Sequence, residues 1–269
     1  MPQTVIVPLD GSDFAERALA PAAELARRSG ARVVVLTARY GGVVVEPRLY
    51  LEEAARAAGI DDPEPLVIEG RLAASSIVDV VAASADPVVC MATHARRAAG
   101  KAVFGSVAEE ALRRIAAPIV LVGPSVPETR PKFAEFVVGV DGSSLAEAML
   151  PVAAAWAREL GLSLTVVTVA ESASPDQPHG HGEDGEAAAM LERVAQRVPG
   201  WADAVREVLH GTTAADAIVD FVTGRPGALL GLTTHGRSGV ARVIAGSVTM
   251  EVVRRAPCVV VTLRPPGVD

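Results

Sequence analysis

Aromatic side chains are scarce in this 269-residue chain, with five Phe, two Trp and two Tyr making up 3% of it. A core without aromatic bulk has to be built from Val, Ile, Leu and Ala, and because 50% of the residues are hydrophobic there is material for a large one. Such a composition suits a parallel sheet covered by helices on both faces. Cysteine is almost absent: Cys90 and Cys258 lie in apolar, strand-like runs of different halves, which excludes a disulfide framework and reads as two buried, reduced thiols. Positive charge is in deficit, with a net charge of −7 and a pI near 5.3, so neither nucleic acid nor an anionic membrane is an expected partner. The basic pairs Arg113-Arg114 and Arg254-Arg255 fall near predicted helix C-termini, where they complement the helix dipole. No apolar run approaches the ~18 residues a membrane span needs, and the opening MPQTVIVPLDGS enters a strand directly without a charged and then apolar leader. A cytoplasmic location is expected.

What is present is repetition. Val5 to Leu19, VIVPLDGSDFAERAL, matches Val137 to Leu150, VVGVDGSSLAEAML, with Asp10 against Asp141 at an offset of 131, which Gly30 against Gly161 preserves. From Gly70 against Gly211 onward the offset is 141, so about ten residues are inserted in the middle of the second copy. Two copies of this length make a duplicated domain, not a solenoid. One domain is expected over residues 1–126 and another over 133–269, joined by a linker at 127–132 within the Pro-rich Gly123 to Lys132.

Each copy alternates strand and helix patterns, which predicts parallel βαβ units with right-handed crossovers. Strands are expected at Thr4 to Leu9, Arg32 to Thr37, Leu66 to Ile68, Val88 to Met91 and Ile119 to Val122, and in the second copy at Ser163 to Val169, Val205 to Leu209, Ala228 to Leu232 and Cys258 to Leu263. Asp13-x-x-Glu16 and Ser144-x-x-Glu147 read as capping boxes, and Gly30 and Gly161 as helix ends. Helices are expected at Ala74 to Ala83 and Ala214 to Val222. Tyr40 to Gly59 reads as irregular; its counterpart is a polar loop, Glu171 to Gly185, before a helix ending near Val198.

The chain is organised around Leu229 to Ser247, LLGLTTHGRSGVARVIAGS, where an apolar run stops in a Gly-, Ser- and Arg-rich loop that leads into a helix. A strand delivering such a loop to the sheet's carboxyl end, followed by a helix N-terminus, is the layout of a phosphate site. Ser247 is the expected N-cap. Val89 to Ser106, VCMATHARRAAGKAVFGS, repeats the Thr-His and Gly-Ser pairs at the same spacing.

VPLDGS, VGVDGS, THGRSGVARVIAGSV and the closing APCVVV strand resemble the universal stress protein family, over essentially the whole chain and twice. The resemblance implies an α/β fold of two tandem five-stranded parallel-sheet domains, Rossmann-like, strand order 3-2-1-4-5, with helices on both faces. Many proteins similar to these bind ATP at the sheet's carboxyl end through Gly-x-x-Gly, nine residues, then Gly-Ser or Gly-Thr. Here Thr233 stands at the first glycine, Gly236 at the second and Gly246-Ser247 at the last pair. In the first copy the equivalents are Ala92, Ala95 and Gly105-Ser106. The resemblance further places Asp141 and Asp10 near the ribose or a phosphate-bound Mg ion, the backbone of Val169 and Ala38 against the adenine, and Val248, with Val107 as its counterpart, next to the phosphates. Because the glycines serve positive backbone torsions and close approach of phosphate oxygens, the second copy is the better nucleotide site and the first the weaker.

Other readings of these residues are plainer. Asp-Gly-Ser after a strand is also an ordinary turn and helix cap; Arg237 and Arg242 are phosphate partners or solvated loop residues; His94 and His235 have no assignable nucleophile beside them. ARRAAGKA, Ala95 to Ala102, lacks the first glycine and the hydroxyl residue of a Walker A loop, and His179-Gly-His181 lacks a third metal ligand. No catalytic residue and no protein metal site is expected, although slow ATP hydrolysis is compatible with the site. Three functions are weighed: an adenine-nucleotide-binding stress protein using occupancy as a signal, an interaction protein that no longer binds nucleotide, and an ATP-using ligase or transferase, which lacks a substrate domain and an acid-base pair. The resemblance also implies an intramolecular pseudo-dimer of the two domains through the last strand, and a homodimer is a further expectation.

Overall fold

The computed structural model describes residues 2–39, 46–93, 104–171, 181–196, 204–225, 227–234 and 246–264, with side chains from Asp184 onward in the segment 181–196. They fall in two compact units, Met1–Lys132 and Phe133–Asp269.

The first unit runs β1 (Thr4–Pro8), α1 (Asp13–Glu16), α2 (Leu19–Ser29), β2 (Arg32–Arg39), α3 (Pro47–Ala57), β3 (Pro63–Glu69), α4 (Ala73–Ala82), β4 (Pro87–Ala92), α5 (Ser106–Arg114) and β5 (Ile119–Val122). The second repeats the order with β6 (Glu135–Gly139), α6 (Ser144–Glu147), α7 (Leu150–Leu160), β7 (Ser163–Glu171), α8 (His181–Ala195), β8 (Val205–Gly211), α9 (Ala214–Thr223), β9 (Ala228–Thr233), α10 (Ser247–Arg255) and β10 (Val259–Leu263). Within the first unit β1 pairs β2 and β4, β2 pairs β3, and β4 pairs β5, all parallel. Within the second, β6 pairs β7 and β9, β7 pairs β8, and β9 pairs β10, again all parallel. Each unit therefore has the strand order 3-2-1-4-5.

The central strands are buried on both faces, which is why they read as unbroken aliphatic runs: Val5 to Val7, Val88 to Cys90, Phe136 to Val138 and Leu229-Leu230 are all fully covered. Both cysteines are free and buried, as their apolar surroundings required. Burial pushes the Cys258 thiol up to about 12 and the Cys90 thiol above the range in which a thiolate forms, so both pack as small hydrophobes.

Three expectations are corrected. The helix caps sit one residue earlier than the boxes suggested: Ser12 Oγ accepts from Ala15 N at 3.2 Å and Ser143 Oγ from Ala146 N at 3.1 Å, because the serine, not the residue after it, keeps the extended backbone a cap needs. The first helix of each copy is also two. Pro21 and Pro151 have no N–H to give the carbonyl four residues back, and their rings crowd it; the chain accordingly ends α1 and α6 and restarts at Leu19 and Leu150. Gly30 and Gly161 do end the second pieces, with φ of 71° and 66°. Finally, most of the irregular stretch is α3, with Pro47 at its start and Leu51 and Ala55 buried one turn apart. Its counterpart α8 begins at His181, inside the expected polar loop.

Candidate functional site

In the second unit the chain leaves β6 toward β7 and β8 on one side and returns to β9 on the other, so the strand order reverses between β6 and β9. Ligands of open α/β sheets bind outside the carboxyl ends of the strands at such a point. A cleft of about 730 Å³ opens there, within the range of roughly 300–1,000 Å³ usual for small-molecule sites.

Of the seven residues expected in this site, Asp141, Val169, Thr233, Gly246, Ser247 and Val248 line the one cleft. Gly236 lies outside the described residues, as do His94, Ala95, His179, His235, Arg237 and Arg242. Asp141 follows β6 in a turn in which its Oδ1 accepts from Ser143 N at 2.9 Å and from Ser143 Oγ at 2.6 Å. Thr233 ends β9, is 7% exposed, and its carbonyl accepts from the buried Thr249 hydroxyl at 2.8 Å. That bond ties the strand end to the first turn of α10. Gly246 N donates to the Thr234 carbonyl, closing the base of the loop between them.

Ser247 is not the cap of α10. Gly246 is, with φ −55° and ψ 147°, and its carbonyl accepts from Met250 N at 3.0 Å. Ser247 is the first helical residue. The expected reason for glycine also changes, since Gly246 and Gly105 have negative φ and need no left-handed freedom. A Cβ at Gly246 would meet only the Thr234 oxygen, in ordinary contact at 3.5 Å. Glycine here leaves α10 without a side-chain cap, and the first N–H groups of the helix face the requirement that an anion or water satisfies.

The cleft has a second wall that its motifs did not announce. Glu186, Ala187, Met190 and Arg193 line it from α8, spaced as one helical face. Opposite, Val167, Ile218 and Leu232 add apolar surface, and Glu171 at the end of β7 adds a carboxylate whose Oε1 accepts from Ala214 N at 2.9 Å. The signal for α8 was the helical spacing; nothing local marked Glu171.

In the first unit, Asp10 makes the same turn, accepting from Ser12 N at 3.0 Å and Ser12 Oγ at 2.6 Å. Gly105 caps α5 with φ −70° and ψ 145°, Ser106 and Val107 are its first helical residues, and Ala38 lies near the end of β2 opposite Ile68. Here, however, Tyr50 of α3 reaches over the Asp10–Gly11 turn and donates to Glu16 Oε1 at 2.9 Å. Burial, that bond and the charges of Glu16 and Asp10 push its phenol far above the ordinary value of 10.0, so it stays a donor. No group of three or more His, Cys, Asp or Glu able to hold a metal occurs among the described residues. Nor, among them, is any helix long and apolar enough to cross a membrane.

Comparison with known proteins agrees with this geometry. The sequence matches the universal stress protein family over residues 1–58 and 132–264. It is 30% identical over 135 residues, 45% of this chain and 98% of the relative, to the Thermus aquaticus "Universal stress protein in QAH/OAS sulfhydrylase 3'region". Among solved structures, a universal stress protein from Archaeoglobus fulgidus superposes with a TM-score of 0.63 at 18% identity, over 98% of this chain and 99% of that one. A functionally unknown protein from Pseudomonas aeruginosa does so with 0.68 at 14%, over 99% and 94%. At such identities the two structures speak for the fold, and the sequence match speaks for the lineage: this chain belongs to the universal stress protein family.

Proposed function

We propose that this protein binds an adenine nucleotide, ATP with Mg, in the cleft of its second domain, and that occupancy is the signal. The observation that carries the reading is the convergence of Asp141, Val169, Thr233, Gly246, Ser247 and Val248 on one cleft, from three strand ends and one helix start. The division of labour is physical. The uncapped start of α10 suits phosphate oxygens, the apolar surface of Val169, Met190 and Ile218 suits a base, and Asp141 suits a ribose hydroxyl or the metal ion. No nucleophile and general base are paired in the cleft among the described residues, so binding without rapid turnover is the activity we assign. Asp10, Ala38, Gly105, Ser106 and Val107 form the weaker first-domain counterpart.

A second reading, an interaction protein that no longer takes nucleotide, draws on Ala92, Ala95 and Thr233 standing where glycines are expected. Titration calorimetry with ATP and Mg separates the two. The first requires heat of binding that Gly246→Val abolishes; a wild-type chain that takes up no nucleotide leaves the second. A cytoplasmic location and an intramolecular pseudo-dimer of the domains, with homodimerisation beyond it, complete the proposal. Light scattering together with an experimental structure decides the association.

A further inference from the structure

Two helix N-termini border the cleft, and their electrostatics are opposite. Helix α10 starts from a glycine, with no side-chain cap and no acidic residue in its first turn. Helix α9 is internally satisfied: the Thr213 hydroxyl accepts from Asp216 N at 3.1 Å and donates to Asp216 Oδ2 at 2.7 Å, while Ala214 N donates to Glu171 Oε1 at 2.9 Å. The Thr213 hydroxyl and Arg255, whose Nη1 lies 2.5 Å from Asp216 Oδ1, hold Asp216 ionised below its ordinary range. Arg255 thus answers Asp216, whereas Glu171 and its partner Ala214 both face the cleft. The remaining charged side chains lining it, among the described residues, are Asp141, Glu186 and a single cation, Arg193.

A carboxylate seated on a helix N-terminus takes the place an incoming anion would take, and its charge repels a second one. Glu171 is exposed, yet between charges near a protein surface this repulsion is still several-fold stronger than in bulk water. We infer that Glu171 is a specificity-determining residue that confines the ligand's negative charge to the α10 end. The cleft therefore takes a nucleotide phosphorylated at its 5′ position alone and rejects one with a further phosphate on the ribose. This inference rests on the nucleotide reading above and adds a rule about which nucleotides are admitted.

The test compares ADP with adenosine 3′,5′-bisphosphate, which carries the same number of phosphates differently placed, by calorimetry on the full chain. The wild type is expected to prefer ADP by about tenfold or more, a difference of about 1.4 kcal/mol. Glu171→Gln keeps an oxygen to accept from Ala214 N but loses the charge, and should narrow the preference to about threefold or less, with the affinity for the bisphosphate rising more than that for ADP. Glu171→Asp, which restores the charge, should restore the rejection. Equal affinity of the wild type for both ligands, or a preference that Glu171→Gln leaves intact, overturns the inference while sparing the nucleotide reading. If neither ADP nor ATP binds, the nucleotide reading itself is overturned, and the inference with it.

Discussion

The two domains keep the same scaffold and differ, among other places, in the packing under the central strands and in the residues above them. In the second, Gly231 of β9 lies under Phe136; a Cβ there would come within 2.5 Å of the Phe136 Cε1 and 3.2 Å of the Met149 Cγ. Phe136 in turn meets Trp156 edge to face, with ring centroids 6.1 Å apart. At the corresponding sequence positions the first domain has Cys90, Val5, Ala18 and Leu25. The glycine at the strand-four position makes room for larger partners on strand one and the helix above it, so that more side-chain volume is packed here than at the corresponding place in the first domain. Above the sheet, the Thr249 hydroxyl holds the Thr233 carbonyl in the second domain. Its first-domain counterparts are Ala108 and Ala92, which have no hydroxyl. Tyr50 bonds Glu16 beside the Asp10 turn in the first domain, while in the second Asp141 lines a cleft. Duplication has thus preserved the Asp-Gly-Ser turns that follow the first strand of each domain and altered the residues around them.

The sharpest way to break this comparison is to cap α10. Gly246→Asp places a good N-cap where glycine now stands, so the helix should gain roughly 0.5 kcal/mol while ATP affinity falls at least about hundredfold, because the anion's place is taken. Gly105→Asp, the matching change in the first domain, should leave ATP affinity untouched. Calorimetry and thermal unfolding read both. Next, Gly231→Cys installs the first domain's residue beneath Phe136 and should cost roughly 2 kcal/mol by overpacking, measured as a lower urea midpoint. Tyr50→Phe removes the bond to Glu16 and should cost about 1 kcal/mol with no change in nucleotide stoichiometry.

The smallest effect concerns pH. Burial alone would raise the Glu24 carboxyl, but hydrogen bonds and charge from Arg27 and Arg28, at 2.9 and 2.7 Å, overcome this and hold it below its ordinary 4.5. A depressed carboxylate stabilises the fold above its unfolded value, and the contribution is lost as pH falls through the folded one. The second domain has Ala155 at this place. Glu24→Gln should therefore cost about 0.5 kcal/mol at pH 7 and progressively less as the pH is lowered below 4.5, as urea titrations across that range will show.

Much of the scaffold was legible because its signals are local. Continuous aliphatic runs such as Val88 to Met91 can only be strands buried on both faces, and Gly30 and Gly161 mark helix ends by the torsion they alone take cheaply. What was hard to read depends on competition or on distance. Asp10 and Ser12 are both good caps, and only the backbone decides that the serine caps while the aspartate turns back onto it. Helix α3 buries Leu51 and Ala55 alone, a stripe too narrow to stand out among charged neighbours. Within the candidate site, Gly246-Ser247 was visible from its spacing, but the wall from α8 and the Glu171 carboxylate are not. They enter because β7 and α8 fold over residues about 60 positions away in sequence, a placement set by the crossover rule for βαβ units.

The most direct test is an experimental structure of the full chain crystallised with ATP and Mg. We expect nucleotide in the second domain alone, with the base against Val169, the ribose or metal by Asp141, and phosphate oxygens on the backbone N–H groups of Ser247 and Val248. A cleft filled by its own side chains under saturating ATP, or nucleotide in the first domain with Tyr50 displaced, would contradict the account.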